Sequence, residues 1–219
     1  MGLRRVAVLV SGGGTNLQAL IDATAVGGSY TIVLVLANRP TSYGLERARA
    51  AGIAAACIDH RGFPDRAAFE AALDAHLTAA GAELVCLAGF MRVLTAAFVA
   101  RWHDRLLNIH PSLLPAFPGL DSHARALEAG VRVHGCTVHL VRAEVDAGPI
   151  LAQGVVPVLP EDDPARLAAR VLELEHRAYP RALALFAAGR LALGPGGRII
   201  ARDGDAERAR LIVHPALAG

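Results

Sequence analysis

Residues 4–21 read RRVAVLVSGGGTNLQALI: an apolar β-rich run, a triple-glycine turn, then apolar positions at Leu17, Leu20 and Ile21 that mark one face of a helix. Strand, glycine turn and helix in that order are the opening unit of a sheet with parallel strands. The chain then repeats the theme. Short apolar runs YTIVLVLA (30–37), IAAACID (53–59), ELVCLAG (83–89) and RLLNI (105–109) alternate with helical patterns, one of them marked by Phe69, Leu73 and Leu77. Continuous apolar strands separated by helices predict a sheet covered on both faces, hence a doubly wound, mostly parallel α/β fold. VHGCTVHLVR (133–142) and ILAQGVVPV (150–158) follow each other without a helix between them, which predicts an antiparallel strand near the C-terminal part. EDDPARLAARVLELEHRAYPRALALF (161–186) predicts a long helix capped by Asp163, with Pro164 first and Leu167, Val171, Leu174 and Ala178 facing inward. Pro180 is expected to kink or end it. RLALGPGGRIIARDG (190–204) reads as a hairpin turning on Gly194 to Gly197, and the remainder to Gly219 as a polar, loose end.

With 219 residues the chain fits one sizeable domain, 1–219, and no linker or repeat divides it. Hydrophobic residues make up 53%, yet stretches such as LVCLAGFM (84–91) fall far short of the roughly 20 residues a bilayer crossing needs. The first apolar run passes straight into the glycine turn without a cleavage site, so it reads as a core strand of a cytoplasmic protein rather than a signal peptide. Cys57, Cys86 and Cys136 are too few and too scattered for a disulfide framework or a metal site, and each is expected to act as a small core residue. All 22 basic residues are arginine, which excludes a Schiff-base lysine and a P-loop lysine. A net charge of +2 with dispersed arginines is too weak a footprint for nucleic acid and suits a small anionic substrate.

The glycine turn brings backbone N–H groups and a helix N-terminus to one place, where an anion such as phosphate is held without lysine. As a dinucleotide fingerprint it is incomplete, because Leu17 stands where the third glycine belongs. Asn38 and Arg39 end the second strand in place of an acidic residue and keep an NADP-binding or nucleotide-binding module open as an alternative. In LLNIHP (106–111), strand alternation puts Asn108 and His110 on the same side, and Pro111 removes the next ladder donor. The pair therefore stands at the carboxyl end of a strand, where open α/β sheets place their ligands. An amide can donate to a carbonyl oxygen becoming an oxyanion, and an imidazole can move a proton, a pairing that suits acyl transfer. Ser112 lacks a nucleophile elbow and reads as a turn residue. His134 and His139 are separated by an odd number of residues, which argues against a shared metal, though one of them could line a pocket. Asp146 sits in a Gly/Pro loop, and nothing in the spacing alone brings it near His110.

Taken in order, SGGGTN (11–16), AGFMRVL (88–94), LLNIHPSLLPAFPG (106–119), HGCTVHLVRAEVDAGPI (134–150) and RVLELEH (170–176) resemble the folate-dependent formyltransferases, over roughly residues 5 to 190. The resemblance implies a Rossmann-like fold, with a ribotide-binding N-terminal half and a folate-binding, catalytic second half. It implies formyl transfer from the co-substrate 10-formyltetrahydrofolate to the amine of phosphoribosylglycinamide, in purine synthesis, without a metal. The family's catalytic residues fall on Asn108, His110 and Asp146. Its phosphate loop falls on Gly12, Gly13, Gly14, Thr15 and Asn16, and Glu175 matches a ribotide-binding residue. The folate side falls on Arg66, Met91, Arg92, Val93, Leu94 and Asn108, together with the loop up to Asp146. It also implies a cis bond at Leu114–Pro115. The implied partners are small molecules only, with neither nucleic acid nor membrane, and the chain is expected as a monomer or homodimer. Gly13 and Cys136 depart modestly from the pattern. Family members acting on methionyl-tRNA look longer and lack this phosphate loop, and formyltetrahydrofolate hydrolases carry an additional N-terminal domain, so length and loop favour the ribotide branch; the hydrolase stays as an alternative.

Overall fold

The computed structural model describes residues 2–25 and 27–202, together with the backbone of 212–213. Its contacts group the chain into two compact units, Met1–Asn108 and Ile109–Gly219.

In the first unit the elements are β1 (Arg4–Val10), α1 (Thr15–Ala25), β2 (Tyr30–Ala37), α2 (Gly44–Ala50), β3 (Ala55–Cys57), α3 (Arg66–Ala79), β4 (Leu84–Leu87), α4 (Ala96–Arg101) and β5 (Leu106–His110), the last crossing the boundary. The strands lie in the order β5-β4-β1-β2-β3, all parallel. The predicted apolar runs are these strands. Val6 to Val10 are fully buried, as are Val85 and Cys86, because a parallel strand covered on both faces leaves no side chain in water. Leu17 and Leu20 of α1, and Phe69, Leu73 and Leu77 of α3, turn their predicted faces into this core. Asp65 caps α3, accepting the Ala68 N–H at 2.8 Å, and Thr95 caps α4. The buried Glu70 carboxylate in turn accepts the Thr95 N–H and hydroxyl. Trp102 is buried behind α4 and donates its indole N–H to Asp74 at 2.9 Å, with the Arg105 guanidinium over its ring. Cys86 is a core residue as expected, but Cys57 is exposed, because it sits on β3, the short strand at the edge of the sheet.

The second unit contains α5 (Ser122–Glu128), β6 (Val133–Leu140), β7 (Ile150–Pro157), α6 (Pro164–Ala187), β8 (Leu191–Leu193), β9 (Ile199–Ala201) and β10 (Ile212–Val213). β6 and β7 pair antiparallel, as the missing helix predicts, and β10 adds to β7 in parallel. α6 packs against both β6 and β7. Asp163 caps it, accepting the Arg166 N–H at 2.8 Å, and Leu167, Val171, Leu174 and Ala178 are buried. The helix does not end at Pro180 but continues to Ala187. Tyr179, Pro180, Ala182 and Leu183 are all buried, and packing of that face outweighs the single backbone hydrogen bond that proline removes. β8 and β9 form the hairpin read around Gly194–Gly197. Apart from the backbone of β10, the expected polar end lies outside the described residues.

Candidate active site

Within the first unit the chain lays β2 and β3 on one side of β1, then returns to lay β4 and β5 on the other. The carboxyl ends of β1 and β4 therefore flank a switch point, the place where open α/β sheets leave a crevice. The glycine turn follows β1 and the segment 88–94 follows β4, and the two are tied by the Met91 N–H donating to Ser11 Oγ at 2.8 Å. Gly14 has φ +68, and a Cβ there would lie 2.8 Å from Gly44 Cα, so no other residue fits without moving the backbone. At Gly12 and Gly13 a Cβ would meet nothing within 4 Å, which leaves open space beside the turn. Thr15 opens α1 and Asn16 is buried in its first turn. Met91 and Val93 are exposed, Leu94 is buried, and the Arg92 guanidinium lies 5.5 Å over the Phe69 ring. Arg66 stands exposed at the start of α3, without a hydrogen bond or ion pair to another of these residues. Register places Leu9, Leu87 and Asn108 in one row, so the half-buried Asn108, midway along β5, stands level with the carboxyl ends of β1 and β4, on the same edge as the glycine turn. Asn38 is fully buried at the end of β2, and neither polar side-chain atom has a partner among the described residues.

In the second unit His110 meets Asp146. The loop between β6 and β7 brings Asp146 Oδ2 to 3.3 Å from His110 Nδ1, where their side chains are 9% and 8% exposed. The same oxygen accepts the Gly119 N–H at 2.8 Å, and Oδ1 lies 3.6 Å from His139 Nε2. On its far side the His110 ring places Nε2 3.0 Å from the Phe117 carbonyl, which can only accept, so Nε2 carries a hydrogen. Phe117 and Asp146, the two residues that hold this ring, both have φ near +55, a left-handed conformation rare outside glycine. Burial alone would raise the Asp146 pKa; the His139 hydrogen bond, the Gly119 N–H and the two imidazoles outweigh it and hold the carboxyl below its ordinary value.

The loop carrying Phe117 and Gly119 is anchored by groups that the sequence did not single out. Thr137 Oγ1 donates to Ser112 O at 2.7 Å and accepts the Leu114 N–H at 3.0 Å. Gln153 donates to Leu114 O at 2.8 Å, Ser122 to Pro111 O at 2.7 Å, and Arg125 to Pro118 O at 2.6 Å. Ser112 is a turn residue as read, its hydroxyl donating to Ala116 O, and the Leu114–Pro115 bond is cis. His134 is buried edge-on against Phe117 and His123. Burial, then the charges of His123 and His110, push it down to about 4, against the opposing hydrogen bond to Pro111. Glu175 lies buried on α6; burial first, and then its charge, hold the Cys136 thiol well above the ordinary range. His139, one of the two β6 histidines read as able to line a pocket, joins the His110–Asp146 pair from outside the expected site set, as do the backbone groups of Phe117 and Gly119. Among the described residues no group of three or more His, Cys, Asp or Glu side chains could hold a metal ion.

The family model described as formyl transferase matches residues 4–183. The chain belongs to that family. Of the curated relatives, this formyltransferase chain is 52% identical over 195 residues to the trifunctional purine biosynthetic protein adenosine-3 of Drosophila melanogaster, covering 88% of this chain and 14% of that one. It is 46% identical over 187 residues to the phosphoribosylglycinamide formyltransferase of Escherichia coli (strain K12), covering 85% of this chain and 88% of that one. The crystal structure of glycinamide ribonucleotide transformylase 1 from Symbiobacterium toebii superposes with a TM-score of 0.89 at 50% identity, over 92% of this chain and 95% of that one.

Proposed function

We propose that this formyltransferase chain moves the formyl group of 10-formyltetrahydrofolate to the amine of phosphoribosylglycinamide. The observation that carries the reading is the His110 imidazole at the end of β5, backed by Asp146 at 3.3 Å and two residues from Asn108. The substrate amine attacks the formyl carbon and makes a tetrahedral intermediate. Asn108 and the His110 imidazole stabilise its oxyanion, while Asp146, 3.3 Å from Nδ1, orients the ring. The proton lost by the amine passes to N10 of the folate as the carbon–nitrogen bond to N10 breaks, giving the formylated ribotide and tetrahydrofolate. Gly12, Gly13, Gly14, Thr15 and Asn16 receive the substrate phosphate, Glu175 the glycinamide ribotide, and Arg66 with Met91, Arg92, Val93, Leu94 and Asn108 the folate. The partners are these small molecules, in a cytoplasmic monomer or homodimer, and the mechanism uses no metal.

The test mixes protein, formyl donor and ribotide amine and follows the folate absorbance. Turnover that requires the amine is expected. Formate release without the amine would mean a hydrolase instead, and no turnover with a nicotinamide signal would mean a nucleotide-binding module. Asn108→Ala and His110→Ala should each lower kcat by about 10²–10³ with the circular dichroism of the native fold retained. Near-normal turnover in His110→Ala would refute the assignment.

A further inference from the structure

The glycine turn is held in its orientation from the side of α2. In a planar trans peptide the carbonyl of one residue and the N–H of the next point in opposite directions, so whatever holds the carbonyl also aims the N–H. Gly12 O accepts the Ser42 hydroxyl at 2.9 Å and the Gly44 N–H at 3.2 Å. Gly13 O accepts the Arg47 Nε–H at 2.8 Å, and Gly14 O accepts the Gln18 N–H at 2.9 Å. These acceptors belong to the same three peptide planes as the N–H groups of Gly13, Gly14 and Thr15. The backbone alone holds the Gly14 carbonyl, since that bond is the first of α1, and Gly12 has both a buried serine and a backbone donor. The middle plane, Gly13–Gly14, depends on one side chain.

That side chain is shaped for the task. The Arg47 guanidinium reaches Gly13 O through Nε while its NH1 donates to Gln18 Oε1 at 3.2 Å, so one rigid fork spans the turn and the first turn of α1. Its guanidinium carbon lies 5.1 Å from the centre of the Tyr43 ring, a cation–π contact that adds to its restraint. A flexible ammonium could reach one of these acceptors but could not reproduce the pair with the same geometry. The backbone beneath is tight as well, since a Cβ on Gly44 would lie 2.9 Å from Val10 Cγ2.

We infer that Arg47 is a positioning residue for phosphate recognition: by holding the Gly13 carbonyl toward α2 it aims the Gly14 N–H at the phosphate monoester of the substrate. The inference rests on the reading that the glycine turn receives that phosphate. Arg47 acts through the backbone, and its geometry rather than its charge alone sets the affinity.

Titration calorimetry of the full chain with ribose 5-phosphate tests it, using wild type, Arg47→Ala and Arg47→Lys, with thermal melts to confirm folding. Both variants should bind about tenfold more weakly. In steady-state assays their KM for the ribotide should rise about tenfold, while kcat falls less than threefold and the KM for the formyl donor stays within twofold. An Arg47→Ala protein that binds within twofold of wild type overturns the inference alone. So does an Arg47→Lys protein with wild-type affinity, because charge would then be sufficient. A wild type that does not bind ribose 5-phosphate overturns the phosphate reading of the turn, and the inference with it.

Discussion

Asp146 combines backbone strain with a depressed pKa, and both follow from where its loop places it. A left-handed backbone is less costly for aspartate than for most residues, because the short side chain hydrogen-bonds locally; here that side chain faces two imidazoles and one N–H. A carboxyl whose folded pKa lies below its ordinary value contributes stability that is present above the ordinary aspartate range and lost as pH falls through the lowered value. Asp146→Asn should therefore remove part of the acid sensitivity below the ordinary aspartate pKa and also lower kcat, as urea titrations at stepped pH and turnover at neutral pH would show. His134 acts in a different window. With its folded value at about 4, its neutral form contributes fully above the ordinary histidine range, and that contribution is lost between there and about 4. His134→Asn, which keeps a short polar donor, should flatten the fall in stability between neutral pH and that value by on the order of 2 kcal/mol. Equal slopes for wild type and variant would remove His134 from the account.

The connection between β6 and β7 shows what a strand pattern leaves out. Both strands were legible from their apolar runs, and Asn108 and His110 from alternation and the following proline. The return of the loop was not, because the side-chain period of a strand specifies faces and says nothing about where a turn doubles back. The return is enforced at Gly148, where a Cβ would lie 1.7 Å from Leu140 O, beside the Leu140 N–H donating to Pro149 O at 2.9 Å. This close approach delivers Asp146 to His139 and His110. Gly148→Ala should cost about 2 kcal/mol or more in urea unfolding and lower kcat as well, since the loop must move away from β6. Asp163→Ala, at the well-signalled start of α6, should cost about 1 kcal/mol and leave turnover near normal. In α6 the cap and the inward face were legible, and the end was not: Pro180 is a local stop signal that a buried helical face overrides.

At the scale of the whole molecule, alternation of strands and helices was sufficient for the α/β class, but the order β5-β4-β1-β2-β3 was not contained in it. That order is a long-range choice of neighbours, and it is what puts the glycine turn and the 88–94 segment on either side of a switch point. The same gap applies to the site: residue types at strand ends were legible, and their partners across loops were not. Among the described residues no helix is long and apolar enough to cross a membrane, in line with apolar runs that stop well short of that length. The buried indole behind α4 has a practical result. Trp102 is the one tryptophan in the chain, enclosed at 2% exposure in the first unit, so its emission, excited clear of the tyrosines, is an optical gauge of its own surroundings in that unit. A variant at His110, Asp146 or Gly148 that loses turnover while this fluorescence keeps its native colour has kept the packing around Trp102 and Asp74, and its loss of turnover does not come from collapse of that core.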